Sequence, residues 1–336
     1  MQDLGIVAIG RNEGDRLRQC LHSVVNLVND IVYVDSGSTD GSIFMAKSLG
    51  VKVLQLDLSR PFTAARARNE GFTYLISNNP QLRFVQFVDG DCEIAEGWLQ
   101  SAYDLISNKP ELAVICGRRR ERFPTQSIYN LLCDIEWNTP VGETDACGGD
   151  SIMRISAFRQ VKGFNSTLIA GEEPELCLRL RHQGWKILRH DAEMTLHDAQ
   201  ITRFKQWWQR SLRAGHAYAE VFNLHAGNKE NYWAKENKSI LLWGLILPLL
   251  ILGLFWFTNG WILWLLLGYI VITYKTYTYM LTTGLGKRES LIYAISCILA
   301  KFPQVQGQTQ FYFGKLLGKQ NDLIEYKRGV TKKKAS

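Results

Sequence analysis

Several acidic clusters carry the chemistry open to this chain. Asp89 and Asp91 flank Gly90 directly after the apolar stretch 84–88, which reads as a buried strand. Two carboxylates at a strand exit repel each other and lose hydration unless a cation sits between them. Asp-Gly-Asp is also an ordinary turn composition, so the tripeptide alone leaves both readings open. A second acidic pair, Glu172 and Glu173, precedes Pro174 in "AGEEPELCLRLRHQGW". Proline suits a first helical turn and biases the residue before it towards extended backbone. Glu173 is therefore expected at the mouth of a helix anchored by Leu176, Leu178 and Leu180, pointing away from the core. An acidic helix start favoured by the macrodipole is the plainer alternative.

These acids need elements to hold them. "LGIVAIG" reads as a strand, and "EGDRLRQCLHSVVNL" as an amphipathic helix with Leu17, Leu21, Val24 and Val28 on one face. "DIVYVDSGSTDGS" is a strand and turn, 42–49 a helix, "VKVLQLD" a strand, "TAARARNEGFTYLI" a helix and "LRFVQFVDGD" a fourth strand. Such alternation implies an α/β fold, a mainly parallel sheet with helices on both faces. Ligands then bind beyond the carboxyl ends of the strands. That rim collects Arg11, Asn12 and Glu13, the segment 35–40, and Asp89 with Asp91. A dinucleotide-binding reading fails, because "GRNEGD" is not a GxGxxG turn.

The 336 residues allow one large domain or two smaller ones, and the net charge of +7 suits nucleic acid, an anionic membrane or phosphorylated substrates. The seven cysteines form no CxxC pair and no zinc spacing, and "MQDLGIVAIG" lacks the regions of a signal peptide. Reduced thiols in a cytosolic domain are expected. Composition shifts near residue 240. Stretches 240–257 and 261–273 are apolar and uncharged, broken at Thr258-Asn259-Gly260. Spanning hydrocarbon takes roughly 20 helical residues, so a transmembrane hairpin is expected, with a buried hairpin in a soluble protein as the alternative. Trp256, Trp261 and Trp264 suit one interface. Lys229, Lys235 and Lys238 on one side, and Lys287 and Arg288 on the other, direct both ends to the cytosol. The expected organisation is a cytosolic catalytic domain over 1–225, a linker or interfacial helix over 226–239 and a hairpin over 240–281. An interfacial or re-entrant segment with a basic tail then covers 282–336, with Lys315, Lys319 and Lys332 to Lys334 at headgroups or in solvent.

"IVAIGRNEG", "IVYVDSGSTDGS", "AARARNEGF", "VDGD" and "GEEPELCLRLRHQGW" resemble, in order and spacing, the pattern of family-two glycosyltransferases. The resemblance runs roughly from Gly5 to Trp185. It implies a GT-A fold, a nucleotide-sugar donor, a divalent cation (Mg or Mn) and inversion at the transferred sugar. It makes Asp91 a direct metal ligand, with Asp89 on ribose, sugar or metal-bound water. It gives Glu13 and Asp35 to the nucleotide and Arg68 to base or diphosphate. The general base falls on Glu173, with Glu172 beside it; the family commonly has Asp at this place. His197 is a third metal ligand in similar enzymes, although a lone His is more often simply packed. Asp150, after Gly148 and Gly149, suits sugar hydroxyls, and Arg210 or Arg213 suits phosphates. "FKQWWQRSLRAG" departs from the motif of processive synthases, since no Trp follows Arg210. Arg118, Arg119, Arg120 and Arg122 are either an anion-binding strip or a solvated face. The expected partners are a nucleoside-diphosphate sugar, a lipid-linked or membrane-proximal acceptor and the bilayer, with no nucleic acid. A polyprenyl-phosphate glycosyltransferase and a non-catalytic membrane-anchored scaffold stand as alternatives.

Overall fold

The structure, a computed structural model, describes residues 1–60, 62–227 and 231–318. Its strands are β1 (Leu4–Gly10), β2 (Asp30–Asp35), β3 (Lys52–Gln55), β4 (Phe84–Asp89), β5 (Cys92–Ile94), β6 (Leu112–Glu121), β7 (Gly142–Glu143), β8 (Ser151–Arg154) and β9 (Lys186–His197). Interleaved with them are α1 (Asp15–His22), α2 (Ser42–Ser48), α3 (Ala64–Asn78), α4 (Trp98–Asn108), α5 (Ile128–Glu136), α6 (Ile155–Gln160) and α7 (Glu172–His182). The chain continues through α8 (Phe204–Leu224), α9 (Ala234–Leu241), α10 (Leu247–Leu254), α11 (Leu267–Thr282), α12 (Lys287–Leu299) and α13 (Lys301–Leu316).

The strands form one mixed sheet in the order β3-β2-β1-β4-β8-β6-β9-β5, with β7 on β9. The first four in that order run parallel, as the βαβ alternation requires. β1 is buried from Leu4 to Ile9, because a parallel strand covered on both faces must be apolar throughout. β4 carries one polar exception: Gln86 is buried, and its amide is satisfied by Phe87 O at 2.6 Å and the Trp98 indole N–H at 3.0 Å.

Register positions the site. Ile9 pairs with Asp89 and Gly10 with Asp35, so three strands end level with one another. β8 runs antiparallel to β4, with Phe87 opposite Ser151, which delivers Asp150 beside Asp89. Cys92 pairs with His197 and Glu121 pairs with His197 from the other side. The adjacent β4 and β5 thus meet β6, β8 and β9, which are distant from them in sequence, at one point.

Two compact units divide the chain: Met1–Pro124 with Glu136–Gln200, and Thr125–Ile135 with Ile201–Ser336. α8, placed with the catalytic domain on sequence grounds, groups with the C-terminal helices. Within this second unit α8 and α13 touch backbone to backbone. A Cβ on Gly307 would overlap the Leu212 carbonyl oxygen, and one on Gly215 would overlap that of Gln304. Side chains clamp the same crossing, with Trp208 donating to Gln306 at 3.0 Å and Lys315 to Asn223 at 2.6 Å. Val305 and Phe311 of α13 are buried, whereas Phe313 and Leu316 are exposed.

Among the described residues one helix is long and apolar enough to cross a membrane by length and composition. It is Ala234–Leu254, 21 residues, made of α9, a π-helical turn and α10. The turn at Thr258-Asn259-Gly260 is present, with Asn259 and Gly260 at positive φ. The second apolar stretch opens as a 3₁₀ helix at Trp261–Leu266 before α11, so it does not form a second uniform helix of that kind. Lys229, Lys319 and the Lys332 to Lys334 run lie outside the described residues.

Candidate active site

Strict alternation would place the two aspartates on one face, but β4 ends at Asp89 and the turn at Gly90 and Asp91 separates them. Asp89 closes β4 with its side chain 27 % exposed, whereas that of Asp91 is 3 % exposed. Gly90 between them donates its N–H to Ile9 O at 2.7 Å, which ties the turn to β1.

Asp89 faces a buried cation. Arg68 on α3 sends Nη2 to Asp89 Oδ1 at 2.7 Å and Nη1 to Glu172 Oε1 at 2.9 Å, with Glu173 Oε1 at 3.1 Å from the same nitrogen. Burial disfavours the guanidinium charge, but the three carboxylates outweigh it and raise the pKa. Arg68, expected on base or diphosphate, turns its fork to acids of its own chain, and its side chain is 2 % exposed.

The two glutamates open α7. Gly171 at φ 81° caps the helix, and Glu172, Glu173 and Pro174 all lie within its first turn. The expected extended Glu173 is therefore corrected. The first N–H groups of a helix have no intrahelical acceptor, so Pro174 interrupts nothing there. Glu175 N–H closes the turn on Gly171 O at 3.1 Å. Its carboxylate is held by Arg179 at 2.7 Å and 2.8 Å. Glu173 stays closest to solvent of the pair, at 16 % against 5 % for Glu172. Burial, and then the neighbouring Glu172, raise its pKa from 4.5 to about 7 against the pull of Arg68.

Arg119 is the second cation, half-buried with its side chain 15 % exposed. Its Nη2 lies 2.8 Å from Asp150 Oδ2 and 3.6 Å from Asp89 Oδ2. Asp150 is fully buried. It accepts the Asp89 backbone N–H at 3.0 Å and the Thr195 hydroxyl at 2.8 Å. Asp150, expected on sugar hydroxyls, has both oxygens engaged in this way and braces the Asp89 backbone.

Asp91 meets His197, with Oδ2 and Nε2 3.3 Å apart. Glu121 Oε2 lies 3.6 Å from the other ring nitrogen, and Trp137 packs edge-on at 4.7 Å. Burial alone would lower the His197 pKa; Asp91 and Glu121 outweigh it and raise it. The donor chemistry fits a divalent cation. A carboxylate oxygen and an imidazole nitrogen stand about one octahedral edge apart, roughly 3 Å for bonds near 2.1 Å, with a carboxylate behind the histidine. Cys92 is close to both Asp91 and Asp150, but burial and then Asp150 raise its pKa, so it stays a neutral thiol.

Other expected residues have local partners. Glu13 pairs with Arg16 at 2.6 Å. Asp35 accepts the Tyr33 hydroxyl at 2.9 Å and the N–H groups of Gly37 and Ser38 at 2.9 Å and 2.8 Å, which shapes the turn after β2. Asp40 caps α2 through Ser42. Arg210 belongs to the second unit, on α8. Sequence reasoning missed Arg119, Glu121 and Trp137 as parts of this cluster. The signal for the first two was the period-two alternation of β6: Arg119 and Glu121 turn inward, while Arg120 pairs with Glu193 and Arg122 with Glu93.

Residues 6–160 match the profile of Glycosyl transferase family 2. A pre-mycofactocin glycosyltransferase of Mycobacterium tuberculosis is 24% identical over 238 residues, covering 67% of this chain and 48% of the relative. The chain thus spans about half the length of the curated relatives it first matches. An uncharacterized glycosyltransferase of Rickettsia felis is 37% identical over 54 residues, 16% of this chain and 19% of that one. The solved mannosyltransferase PcManGT of Pyrobaculum calidifontis superposes with TM-score 0.60 at 13% identity, over 93% of this chain and 88% of its own, a likeness of fold. Residues 6–160 are thus similar to family-two glycosyltransferases, and the mixed sheet is similar in fold to that of PcManGT.

Proposed function

We propose that the chain moves a sugar from a nucleoside-diphosphate sugar to a hydroxyl of a membrane-proximal acceptor, with inversion. The observation that carries this reading is the pairing, around one arginine, of a strand-end Asp-x-Asp with a glutamate whose pKa lies near neutrality. Asp91 and His197 would hold a divalent cation, with Asp89 at its edge. Such an ion offsets negative charge on a departing diphosphate. PcManGT was solved with GDP-Man and Mn²⁺, which supports the same donor class and cation here. Glu173 accepts the proton of the acceptor hydroxyl, and the deprotonated oxygen attacks the anomeric carbon from the face opposite the leaving diphosphate.

Membrane association is part of the proposal. Its support is the apolar helix Ala234–Leu254 and the exposure of Leu252, Trp256, Phe257 and Trp261 at 72 %, 83 %, 85 % and 72 %. The anchoring supports a lipid-linked acceptor, and the flanking Lys235, Lys238, Lys287 and Arg288 support a catalytic unit on the cytosolic face.

The test is a panel of UDP- and GDP-sugars offered to the purified full chain with Mn²⁺ and with EDTA, and flotation of the chain with liposomes. Metal-dependent consumption of one donor, and flotation with the vesicles, are the expected results. No turnover of any donor would remove the transferase reading, and a chain left at the bottom of the gradient would remove the membrane part.

A further inference from the structure

We propose that Arg68 is a positioning residue that sorts the two glutamates. Its fork fixes Glu172 and Asp89 and leaves Glu173 as the acid presented to the acceptor. This rests on the transferase reading and assigns a role within the same site. The three acids reach Arg68 from different elements, α7 and the end of β4, so local sequence cannot align them. The guanidinium is planar and holds its donors in a fixed fork. One arm ends on Asp89 and the other makes a hydrogen bond to Glu172. Glu173 is an ion-pair neighbour at 3.1 Å. The Nε of Arg68 has no hydrogen-bond partner, so carboxylates alone hold the polar end, with the Phe164 ring 5.5 Å from its centre.

Gly149 closes the remaining side. A Cβ there would lie 2.5 Å from Arg68 Nη2, 2.8 Å from Asp89 Oδ2 and 3.1 Å from Glu173 Oε1. The backbone therefore packs directly against the fork. A guanidinium enclosed in this way has no face to offer a nucleotide. It sets the distance between the donor-side aspartate and the pair on α7, the dimension on which transfer depends. Lysine preserves the charge but supplies one nitrogen, so it cannot span both arms.

The test uses the full chain carrying Arg68→Lys and, separately, Arg68→Met. UDP and GDP affinity with Mn²⁺ is measured by calorimetry, and transfer by single-turnover kinetics. A positioning role predicts nucleotide affinity within about threefold of wild type for Arg68→Lys and transfer slowed roughly 10- to 100-fold, as misplacement by about 1 Å does. A tenfold loss of affinity at an unchanged transfer rate would overturn it and make Arg68 a nucleotide contact.

A second measurement does not depend on activity. In the Arg68→Met background, Glu172→Gln should raise the melting temperature more than Glu173→Gln, because it neutralises the more deeply buried orphan. The reverse order, or no recovery from either, would overturn the sorting. If Arg68→Met does not fold, the same two additions are made to Arg68→Lys. Absence of transfer by the wild-type chain would sink the transferase reading, while the melting order would still decide the role of Arg68.

Discussion

Glu173→Gln removes a carboxylate that the fold holds at a cost. The pKa of Glu173 rises from 4.5 to about 7, first through burial and then through Glu172. A carboxyl with a higher pKa in the folded chain weakens the fold wherever the unfolded chain would be ionised. The penalty is absent below pH 4.5, grows as pH rises through the window from 4.5 to about 7, and is complete above it. At about 1.4 kcal/mol per pH unit this amounts to on the order of 3 kcal/mol at pH 8. Glutamine keeps the shape without the charge. Followed by thermal melts in EDTA, the variant should therefore melt above wild type at pH 8, and the difference should shrink towards pH 5. Transfer should move in the opposite direction. A base works only when ionised, so wild-type single-turnover rates should fall roughly tenfold per unit below pH 7. An ordinary glutamate would place that limb near 4.5. The variant should lose about 10²–10⁴-fold in rate and lose the limb with it. A variant that melts no higher than wild type at pH 8, or that keeps the acid limb near pH 7, would refute the reasoning.

Other perturbations reach the remaining parts. Asp91→Asn should abolish Mn²⁺-dependent transfer while circular dichroism stays native, and full activity in excess EDTA would sink the metal role. Arg119→Met leaves Asp150 buried and unpaired, so denaturant titration should show about 3–5 kcal/mol of lost stability, recovered in part by adding Asp150→Asn. Gly307→Ala should push α8 from α13, costing about 1–3 kcal/mol, read as a lower melting temperature; an unchanged melt would mean that the crossing relaxes freely.

The rim of the sheet was legible because its signals are local. Apolar runs ending in Asp35 and Asp89, with helical periodicity between them, place the strand ends without any knowledge of packing. The acid pair on α7 was legible as chemistry but not as geometry. Pro174 suggested an extended Glu173, and only the closure of the turn by Glu175 on Gly171 shows the helix already under way. Arg68 and Arg119 lay beyond sequence reasoning for a different reason. An arginine on a helix or in a basic run is usually solvated, and what draws these two out of solvent is the arrival of α7, β8 and the ends of β4 and β9 from elsewhere in the chain. The second apolar stretch reads as a helix by composition, whereas its first turn is 3₁₀, a distinction that hydropathy does not encode.

The distribution of charge explains why such a cluster persists. Asp89, Asp91, Asp150, Glu121, Glu172 and Glu173 converge on the ends of β4 and β9, and within that group the buried Arg68 and the half-buried Arg119 are guanidinium partners. Among the contacts named, acids outnumber these cations in a poorly hydrated setting. That is costly unless something offsets it. Raised pKa values at Glu173 and His197 are the response of the chain on its own, because proton uptake is the available remedy. On the proposed reading a divalent cation at Asp91 and His197 would be the other remedy, and it would bring an anionic diphosphate with it. On that reading the acids that make the fold less stable would be those that make it receptive to a metal–nucleotide pair, and removing them one at a time should separate the two consequences.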